Sequence, residues 1–320
     1  FRYRIYKFLK GDWMNLYFAP LEGITTYIYR NTHAKMFGGC SEYYAPFIVP
    51  SDDERITKKS LKDILPENNN HKLQGQVLTK KSGSFLKFED SVTDLGYNEV
   101  NINLGCPSGT VVSKGRGAGF LKDTHGLDRF FTEIFEKTKL KVSVKTRVGF
   151  YNSDEMEELL EIYNKYPLTK LIVHPRVREE YYKGVPDVKC FDFTYSKSVN
   201  PLCYNGNVYS VDDYIKIKGK YKLEGVMIGR GAIINPAIFR EINGGARLST
   251  KEVVEFTEAL AYNYNNVLKS ETFTLHKLKE IWVYMAENYK DNKKITKSIK
   301  KANKISELLN AVNNLPEVTE

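Results

Sequence analysis

The segment Val100-Asn-Ile-Asn-Leu-Gly-Cys-Pro-Ser108 decides the fold of this chain. Its first residues are apolar or β-branched and end at Asn103, a pattern that is typical of a buried strand. Gly105 then breaks the strand and Pro107 stiffens the chain, so Cys106 is predicted to lie on a turn at the strand's end. A thiol on that turn can contact a ligand. The alternative interpretation is a cysteine that only fills space in the core.

Composition limits the class of protein. The chain has 320 residues, of which 42% are hydrophobic, and this is enough for one large domain or one domain with a small companion. A formal net charge of +9 favours an anionic partner. The four cysteines and five histidines show no metal-ligand spacing, and no apolar run is long enough to span a membrane. We therefore expect no metal, no membrane association and a reducing, cytoplasmic location.

Short apolar runs recur along the chain, and enough sequence for a helix separates them. Two of the intervening stretches, 126–139 and 153–166, have helix-like spacing of their apolar residues. Strands that alternate with helices predict a parallel sheet of the α/β class, and eight such units predict a closed (β/α)8 TIM barrel. An open doubly wound sheet is the alternative. The predicted strands cover residues 16–19, 42–45, 72–76, 99–103, 141–145, 170–173, 201–204 and 225–228.

Polar or glycine-rich residues follow nearly every predicted strand. In a barrel, the carboxyl ends of the strands converge on one rim, where active sites are built. Each residue alone has another explanation: Gln76 can cap a strand, Lys145 can be a surface lysine and His174 can be a core histidine. Their recurrence at equivalent positions favours a functional rim. The rim segments are Pro20-Leu-Glu-Gly23, Gln76, Asn103 with Cys106, Lys145-Thr-Arg147, His174-Pro-Arg176, Asn205-Gly-Asn207 and Gly229-Arg-Gly231.

The last two rim segments predict a phosphate site. Their small residues let a ligand approach backbone N–H groups, and the loops after strands seven and eight commonly bind phosphate in such barrels. Arg230 adds a guanidinium that can form two hydrogen bonds to a phosphate. Two ordinary glycine turns are the alternative.

A phosphate site beside inward-facing Gln76, Lys145 and His174 suits a flavin mononucleotide (FMN). A cation near the N1–C2 edge of the flavin stabilises the reduced, anionic ring, and Lys145 is the candidate for this role. The glycine-rich segment 115–119 lacks the strand-to-helix setting of a dinucleotide fingerprint, so we expect a mobile loop there.

Taken together, these motifs resemble the tRNA-dihydrouridine synthase family. The segments that carry the resemblance are Ala19-Pro-Leu-Glu-Gly23, Asn103-Leu-Gly-Cys-Pro107, Val144-Lys-Thr-Arg147, His174-Pro-Arg176, Asn205-Gly-Asn207 and Met227-Ile-Gly-Arg-Gly231. The resemblance implies an FMN-binding TIM barrel over residues 14–243 and a small helical tRNA-binding domain over residues 244–320. Residues 1–13 would be an N-terminal extension of unknown role. The implied reaction reduces uridine in tRNA to 5,6-dihydrouridine, and NADPH, or NADH, recharges the flavin.

The resemblance also implies roles for single residues. A hydride from flavin N5 would reach C6 of the uracil while Cys106, the catalytic acid, protonates C5. An unperturbed thiol has a pKa of about 8.5, so it is mostly protonated at neutral pH and suited to this role. Asn103 would orient the target base, and Lys145, His174 and Arg176 would stabilise charge on the uracil carbonyls. The residues implied to contact FMN are Pro20, Leu21, Glu22, Gln76, Lys145, His174, Asn205, Gly206, Asn207, Gly229 and Arg230.

The tail of the chain offers a surface for the tRNA. Its apolar residues fall at helical spacing, so we predict one amphipathic helix docked on a small bundle. Its lysines would share the opposite face and follow the phosphates of the tRNA, although a simply solvated face is the alternative. The buried side would comprise Ile295, Ile299, Ala302, Ile305 and Leu309, and the basic side Lys290, Lys293, Lys294, Lys297, Lys300, Lys301 and Lys304.

Two other functions stay open at this stage. One is an FMN barrel that reduces a free pyrimidine or enoate and resembles dihydroorotate dehydrogenase. Such an enzyme would share the flavin residues but would not need a lysine-rich helical tail. The other is a non-catalytic RNA-binding protein with a degenerate barrel, and the presence of Cys106, Lys145, His174 and Arg230 argues against it. A monomer suffices for every role considered.

Overall fold

Nine parallel strands form one sheet in the computed structural model, which describes residues 14–50 and 56–318. The strands are β1 (Asn15–Phe18), β2 (Glu42–Tyr44), β3 (Leu73–Gln74), β4 (Gln76–Val77), β5 (Glu99–Leu104), β6 (Lys141–Gly149), β7 (Leu171–Val177), β8 (Leu202–Tyr204) and β9 (Gly225–Ile228). Their order in the sheet is β3-β2-β1-β9-β8-β7-β6-β5-β4. The predicted extension, residues 1–13, lies outside the described residues.

The chain itself joins the two ends of the sheet. Only Gly75 separates β3 from β4, and its carbonyl accepts a 3.0 Å hydrogen bond from the N–H of Asn101 in β5. On the other side, the N–H of Ile48 donates to the carbonyl of Gln76 at 2.8 Å. The sheet therefore curls into a nearly closed barrel, which confirms the predicted (β/α)8 fold and excludes the open doubly wound sheet. The predicted third strand, residues 72–76, is interrupted at Gly75.

Helices connect the strands and continue beyond them. The α-helices of the described residues are α1 (Tyr27–Met36), α2 (Lys58–Leu61), α3 (Ser82–Asp94), α4 (Gly109–Val112), α5 (Thr124–Phe135), α6 (Met156–Tyr163), α7 (Val188–Lys197), α8 (Val211–Lys220), α9 (Arg230–Ile234), α10 (Ile238–Ile242), α11 (Thr250–Leu268), α12 (Glu271–Met285), α13 (Asn292–Lys301) and α14 (Ile305–Asn313). Short 3-10 helices lie at Pro66–Asn68, Gly117–Lys122, Ser153–Glu155, Arg178–Glu180 and Ala286–Asn288. The two helices that the sequence predicted correspond to α5 and α6.

Helix α5 shows why these intervening segments become helical. The Asp123 carboxylate accepts a 2.9 Å hydrogen bond from the N–H of Gly126 and so caps the first turn. Phe131 and Ile134 are fully buried on its inner face. The Phe131 ring meets the Tyr163 ring of α6 edge-on, with 5.9 Å between their centres. Each such apolar side chain contributes about 1.5–3 kcal/mol when it is buried.

The helical tail packs against the first strand–helix unit of the barrel. In α11, the Tyr264 hydroxyl lies 2.9 Å from the Thr26 hydroxyl, at the start of α1. In α12, the Lys277 ammonium donates a 3.1 Å hydrogen bond to the carbonyl of Gly23. These contacts place the tail beside the rim at the carboxyl end of β1. The boundary between residues 243 and 244 stays a prediction.

The prediction of one continuous amphipathic helix in the tail is wrong. Helix α13 ends at Lys301, Ala302 turns the backbone away, and α14 begins at Ile305. The Glu307 carboxylate accepts a 2.7 Å hydrogen bond from the N–H of Asn303, which stabilises the break because it satisfies a donor ahead of α14. Within α13 the predicted sidedness is correct, since Ile295 and Ile299 are buried.

A buried ion cluster closes the end of the barrel opposite the rim. Glu42 and Glu99 are the first residues of β2 and β5, and Lys170 immediately precedes β7. The Lys170 ammonium lies 2.9 Å from a carboxylate oxygen of Glu99 and 3.8 Å from one of Glu42. Burial raises the pKa of Glu42, and the nearby lysines oppose this rise. The cluster therefore depends on Lys170 to balance two carboxylates.

We predict that Lys170→Met lowers the free energy of unfolding by about 3–5 kcal/mol at neutral pH, because it leaves Glu99 without a cation and Glu42 with only the exposed Lys72. The deficit should shrink as the pH falls from 8 to 5. Without the ammonium, the pKa of Glu42 rises further in the folded protein, which then retains a proton that the unfolded chain releases. The measurement is urea denaturation at several pH values. Lys72→Met is the matched control, because Lys72 also pairs with Glu42 but is 74% exposed, and it should cost at most about 1 kcal/mol.

Candidate active site

A cavity of about 360 Å³ opens at the carboxyl ends of the strands. It brings together every barrel residue that the sequence predicted for the site, except Asn207 and Arg176, which do not line it. The predicted residues that line it are Pro20, Leu21, Glu22, Gln76, Asn103, Cys106, Lys145, His174, Asn205, Gly206, Gly229 and Arg230. A rim of converging strand ends is the usual position of the active site in such barrels.

A chain of side-chain hydrogen bonds leads from β6 to the turn of Cys106, which lines this cavity. Asn101 donates to the hydroxyl of Ser143 at 2.9 Å and accepts from the Gln76 amide at 2.7 Å. Gln76 in turn accepts from the Asn103 amide at 2.7 Å. The Asn103 carbonyl oxygen then accepts from the backbone N–H groups of Gly105 and Cys106, at 3.0 and 2.9 Å. The amide of Asn103 therefore fixes the turn that carries Cys106.

The Cys106 thiol is half-buried on this turn, as the glycine and proline around it predicted. Burial raises its pKa, and the neighbouring Glu22 carboxylate acts in the same direction. The thiol therefore stays protonated at neutral pH and can donate a proton. Behind it, the carbonyl of Cys106 accepts a 3.0 Å hydrogen bond from Ala118.

Gly117 allows this close packing behind the cysteine. A Cβ atom at Gly117, where φ is +54°, would lie 2.9 Å from the Cys106 carbonyl oxygen. The segment 115–119, expected to be a mobile loop, leads into a 3-10 helix instead. Gly117, Ala118 and Gly119 are all buried there.

Lys145 lies on β6 and reaches the cavity from the barrel interior. Burial lowers the pKa of its ammonium to about 8, and the positive charge of Arg147 contributes to this shift. A lysine of this kind is a cation below pH 8 and is sensitive to any anion beside it. Arg147 is itself buried, and its guanidinium donates to the carbonyls of Gly105, Val177 and Tyr181.

His174, on β7, is neutral in the folded protein. Burial lowers its pKa well below the usual value, and the surrounding lysine and arginine side chains lower it further. The Arg176 guanidinium lies 3.0 Å from Nε2 of His174, and since a guanidinium can only donate, the ring proton is assigned to Nδ1. His174 can therefore act as a neutral hydrogen-bond donor. Arg176 is fully buried and also donates to Asn207, so it supports the lining residue His174 without lining the cavity itself.

The loops after β8 and β9 form the other end of the cavity. The Asn205 amide donates to the carbonyl of Met227 at 2.8 Å and ties the loop after β8 to strand β9. The backbone N–H groups of Gly206 and Gly229 donate to no other residue within the described part of the chain. Arg230 lies beside them, and its guanidinium donates to Asn207 at 3.2 Å. Free N–H groups beside an arginine fit a phosphate or another anionic group.

Several residues of the cavity wall were not predicted from the sequence. Tyr182, after β7, stacks on His174 with 5.9 Å between ring centres, and the Arg230 guanidinium lies 5.0 Å from its ring centre. Tyr181 precedes it in the same loop. Extending the strand-end rule a few residues beyond β7 would have found both. Tyr284, in contrast, comes from α12, and no local pattern indicates that it reaches the cavity.

The predicted tRNA-binding lysines lie apart from the cavity, on and beside α13. All of them are exposed: Lys290, Lys293, Lys294, Lys297 and Lys301. Lys293, Lys297 and Lys301 line a groove of about 520 Å³ together with Val283 of α12. Because Tyr284 follows Val283 and lines the cavity, the last turns of α12 border both the groove and the cavity.

Two negative findings concern the described residues, 14–50 and 56–318. No three His, Cys, Asp or Glu side chains cluster there in a way that could hold a metal ion. None of the helices in these ranges combines the length and the apolar character that a membrane crossing requires.

Solved structures share this fold. Morphinone reductase in complex with tetrahydroNAD superimposes with a TM-score of 0.52 over 73% of this chain and 88% of its own, at 10% identity. For 2-naphthoyl-CoA reductase the TM-score is 0.56 over 72% of this chain and 50% of its own, at 8% identity. At such low identities, the similarity shows the barrel fold and nothing further.

Sequence comparison identifies the family. The family model described as dihydrouridine synthase matches residues 17–319. A probable tRNA-dihydrouridine synthase of Helicobacter pylori is 28% identical, over 71% of this chain and 69% of its own. One of Staphylococcus epidermidis is 25% identical, over 70% of each chain. The chain therefore belongs to the dihydrouridine synthase family of enzymes, as its motifs predicted.

Proposed function

We propose that this enzyme reduces the C5–C6 double bond of specific uridines in tRNA to 5,6-dihydrouridine. One observation carries the proposal: the Cys106 thiol shares one cavity with Lys145, His174 and Arg230. Cys106 can donate a proton to the pyrimidine, and Lys145 and Arg230 supply positive charge for an anionic cofactor. Membership of the family, and relatives named as probable tRNA-dihydrouridine synthases, support it. A tRNA substrate is consistent with a cytoplasmic location.

FMN is the cofactor we propose for the cavity, and NADPH its reductant. Arg230 and the N–H groups of Gly206 and Gly229 suit its phosphate, which would also relieve the concentration of positive charge. Lys145, with a pKa of about 8, would gain stability as a cation beside the electron-rich edge of the ring. When bound and reduced, the flavin supplies the hydride for C6 of the uracil. The other residues proposed to contact it are Pro20, Leu21, Glu22, Gln76, His174, Asn205 and, through Arg230, Asn207.

Cys106 supplies the proton in this proposal. Its raised pKa keeps the hydrogen on sulfur until negative charge develops at C5 of the uracil. The neutral His174 would donate from Nδ1 to a uracil carbonyl, and Lys145 would add positive charge nearby. We assign Asn103 and Arg176 to positioning, because the amide oxygen of Asn103 holds the Cys106 turn and Arg176 orients the His174 ring.

We propose that the tRNA backbone binds in the groove lined by Lys293, Lys297 and Lys301. A uridine must leave its stacked position to enter the cavity, which costs a few kcal/mol, so binding elsewhere on the tRNA has to compensate. Lys293, Lys297 and Lys301 are exposed on a helix next to α12, whose Tyr284 lines the cavity. Phosphates held in the groove would keep the RNA close to the cavity mouth.

The role of Cys106 as the acid can be tested by replacing it. Cys106→Ala should retain FMN but form dihydrouridine roughly 10²–10⁴-fold more slowly, because only general acid catalysis is lost. The measurement is the rate of dihydrouridine formation on unmodified tRNA by nucleoside mass spectrometry. Cys190→Ala is the control, since Cys190 is a half-buried free cysteine outside the cavity and its loss should not change the rate. A fully active Cys106→Ala enzyme would refute the assignment.

The role of the α13 lysines in tRNA binding can be tested in the same way. Replacement of Lys293, Lys297 and Lys301 together by Gln should weaken tRNA binding and make its salt dependence shallower. The slope of log K against log salt concentration should change by about two to three, at roughly 0.7–0.9 per phosphate contact. A matched triple replacement of the exposed Lys141, Lys197 and Lys222, at the other end of the barrel, should leave the slope unchanged. Equal slopes for both triple variants would show that the α13 lysines do not contact the tRNA.

A further inference from the structure

Tyr181 has an unusual backbone conformation at the edge of the cavity. Its φ of +53° and ψ of −102° lie outside the regions that L-residues normally occupy. The other non-glycine residue with positive φ in the described ranges, Lys269, has the ordinary left-handed conformation of a helix end. A tyrosine in such a conformation costs conformational free energy and persists only where its surroundings impose it.

Two buried arginines impose this conformation on the loop between β7 and α7. The Arg147 guanidinium donates to the carbonyl of Tyr181 at 2.7 Å and to that of Val177 at 2.9 Å. The Arg176 guanidinium donates to the carbonyls of Lys183 and Gly184, at 2.9 and 2.7 Å. Both arginines are at most 1% exposed. The loop is therefore tied to the interior of the barrel at several points.

The same loop directs large apolar side chains towards solvent. Tyr181 is 40% exposed and Val185 is 79% exposed, although the loop is firmly held. The Arg178 guanidinium lies 4.7 Å from the Tyr181 ring centre, so a cation accompanies the aromatic surface. Exposed aromatic rings with neighbouring cations are the groups on which unstacked nucleobases bind.

Tyr181 and Tyr182 differ in what surrounds them. The Tyr182 ring is stacked on His174, with the guanidiniums of Arg147 and Arg230 at 5.4 and 5.0 Å from its centre. Tyr182, although 51% exposed, is thus held against the groups proposed to act on the uracil. Tyr181 also lines the cavity, but its ring lies against Arg178, which is not among the lining residues.

We propose that Tyr181 stacks on the nucleobase adjacent to the target uridine. When the uridine leaves the stack, its neighbour loses a stacking partner, and a rigid tyrosine ring at the cavity mouth replaces that partner at little entropic cost. The strained backbone is then the consequence of presenting the ring at this position. The inference rests on the proposed function and adds a specific contact to it.

The test is a double-mutant cycle between the protein and the RNA. Binding of unmodified tRNA is compared with binding of tRNAs that carry an abasic ribose on either side of the reduced uridine. Tyr181→Ala should weaken binding of intact tRNA roughly tenfold. It should have no further effect on the tRNA that lacks the stacking base, whereas Tyr181→Phe should bind like the wild type. Equal losses on intact tRNA and on both abasic tRNAs would overturn the proposal.

Tyr181→Gly separates stacking from a merely structural role. Glycine adopts positive φ without strain, so this variant should have a melting temperature at least equal to that of the wild type while binding tRNA as weakly as Tyr181→Ala. A parallel loss of stability and affinity would indicate that the ring only supports the loop, and would refute the inference. Tyr195→Ala is the matched control: Tyr195 is 37% exposed, and its hydroxyl accepts from the N–H of Lys222 at the far end of the barrel. The Tyr195→Ala variant should bind tRNA with the affinity of the wild type.

The failure of this inference is distinguishable from the failure of the proposed function. If the wild-type enzyme forms no dihydrouridine in tRNA, the function itself is wrong. If it forms dihydrouridine but Tyr181→Ala binds and reacts like the wild type, only the stacking role is refuted.

Discussion

The buried guanidinium of Arg147 is the interaction on which the active-site end of the barrel depends. It joins three carbonyls from two rim segments, that of Gly105 after β5 and those of Val177 and Tyr181 at the end of β7 and in the loop that follows it. A buried charge is tolerated only when its hydrogen bonds are made, so the geometry of these segments is linked to a single side chain. Arg147 lies on β6, so it fixes the positions of the turn before Cys106 and of the Tyr181 loop relative to that strand.

The same guanidinium determines the electrostatics of the cavity. Its charge contributes to the lowered pKa values of Lys145 and of His174. With Arg176 and Arg230 close by, the cavity concentrates positive charge in a partly buried space. Such an arrangement disfavours further protonation and favours an anion, as a phosphate or a reduced flavin ring would provide. The neutral histidine and the protonated thiol are then suited to hydrogen-bond and proton donation.

The strand ends could be predicted from the sequence because their chemistry is local. Gln76, Asn103, Lys145 and His174 each follow an apolar run, and the barrel brings such positions together whatever the details of its helices. The exact ends of the strands could not be predicted. β7 continues to Val177, so Arg176 lies within a strand and is buried, although the sequence suggested contact with the substrate. Pairing with neighbouring strands sets these ends, and no local pattern contains that information.

Features that depend on distant packing were also beyond sequence reasoning. Tyr284 reaches the cavity only because α12 docks beside the β1 rim, through contacts such as that of Lys277 with Gly23. The break at Ala302 depends on a hydrogen bond to the Glu307 side chain, which competes with continuation of the helix. The close approach of Gly117 to Cys106 is similar, since a glycine-rich segment alone does not indicate which residue it packs against.

The most direct measurement is a nucleotide-resolution map of dihydrouridine in unmodified tRNA after incubation with the purified protein, FMN and NADPH, beside a parallel reaction on free uridine. We expect dihydrouridine at one or a few defined positions of the tRNA and none from free uridine, because the RNA must be held by more than its target base. An unmodified tRNA, or equal reduction of free uridine, would contradict a tRNA-directed reductase and would favour a flavin enzyme of small molecules.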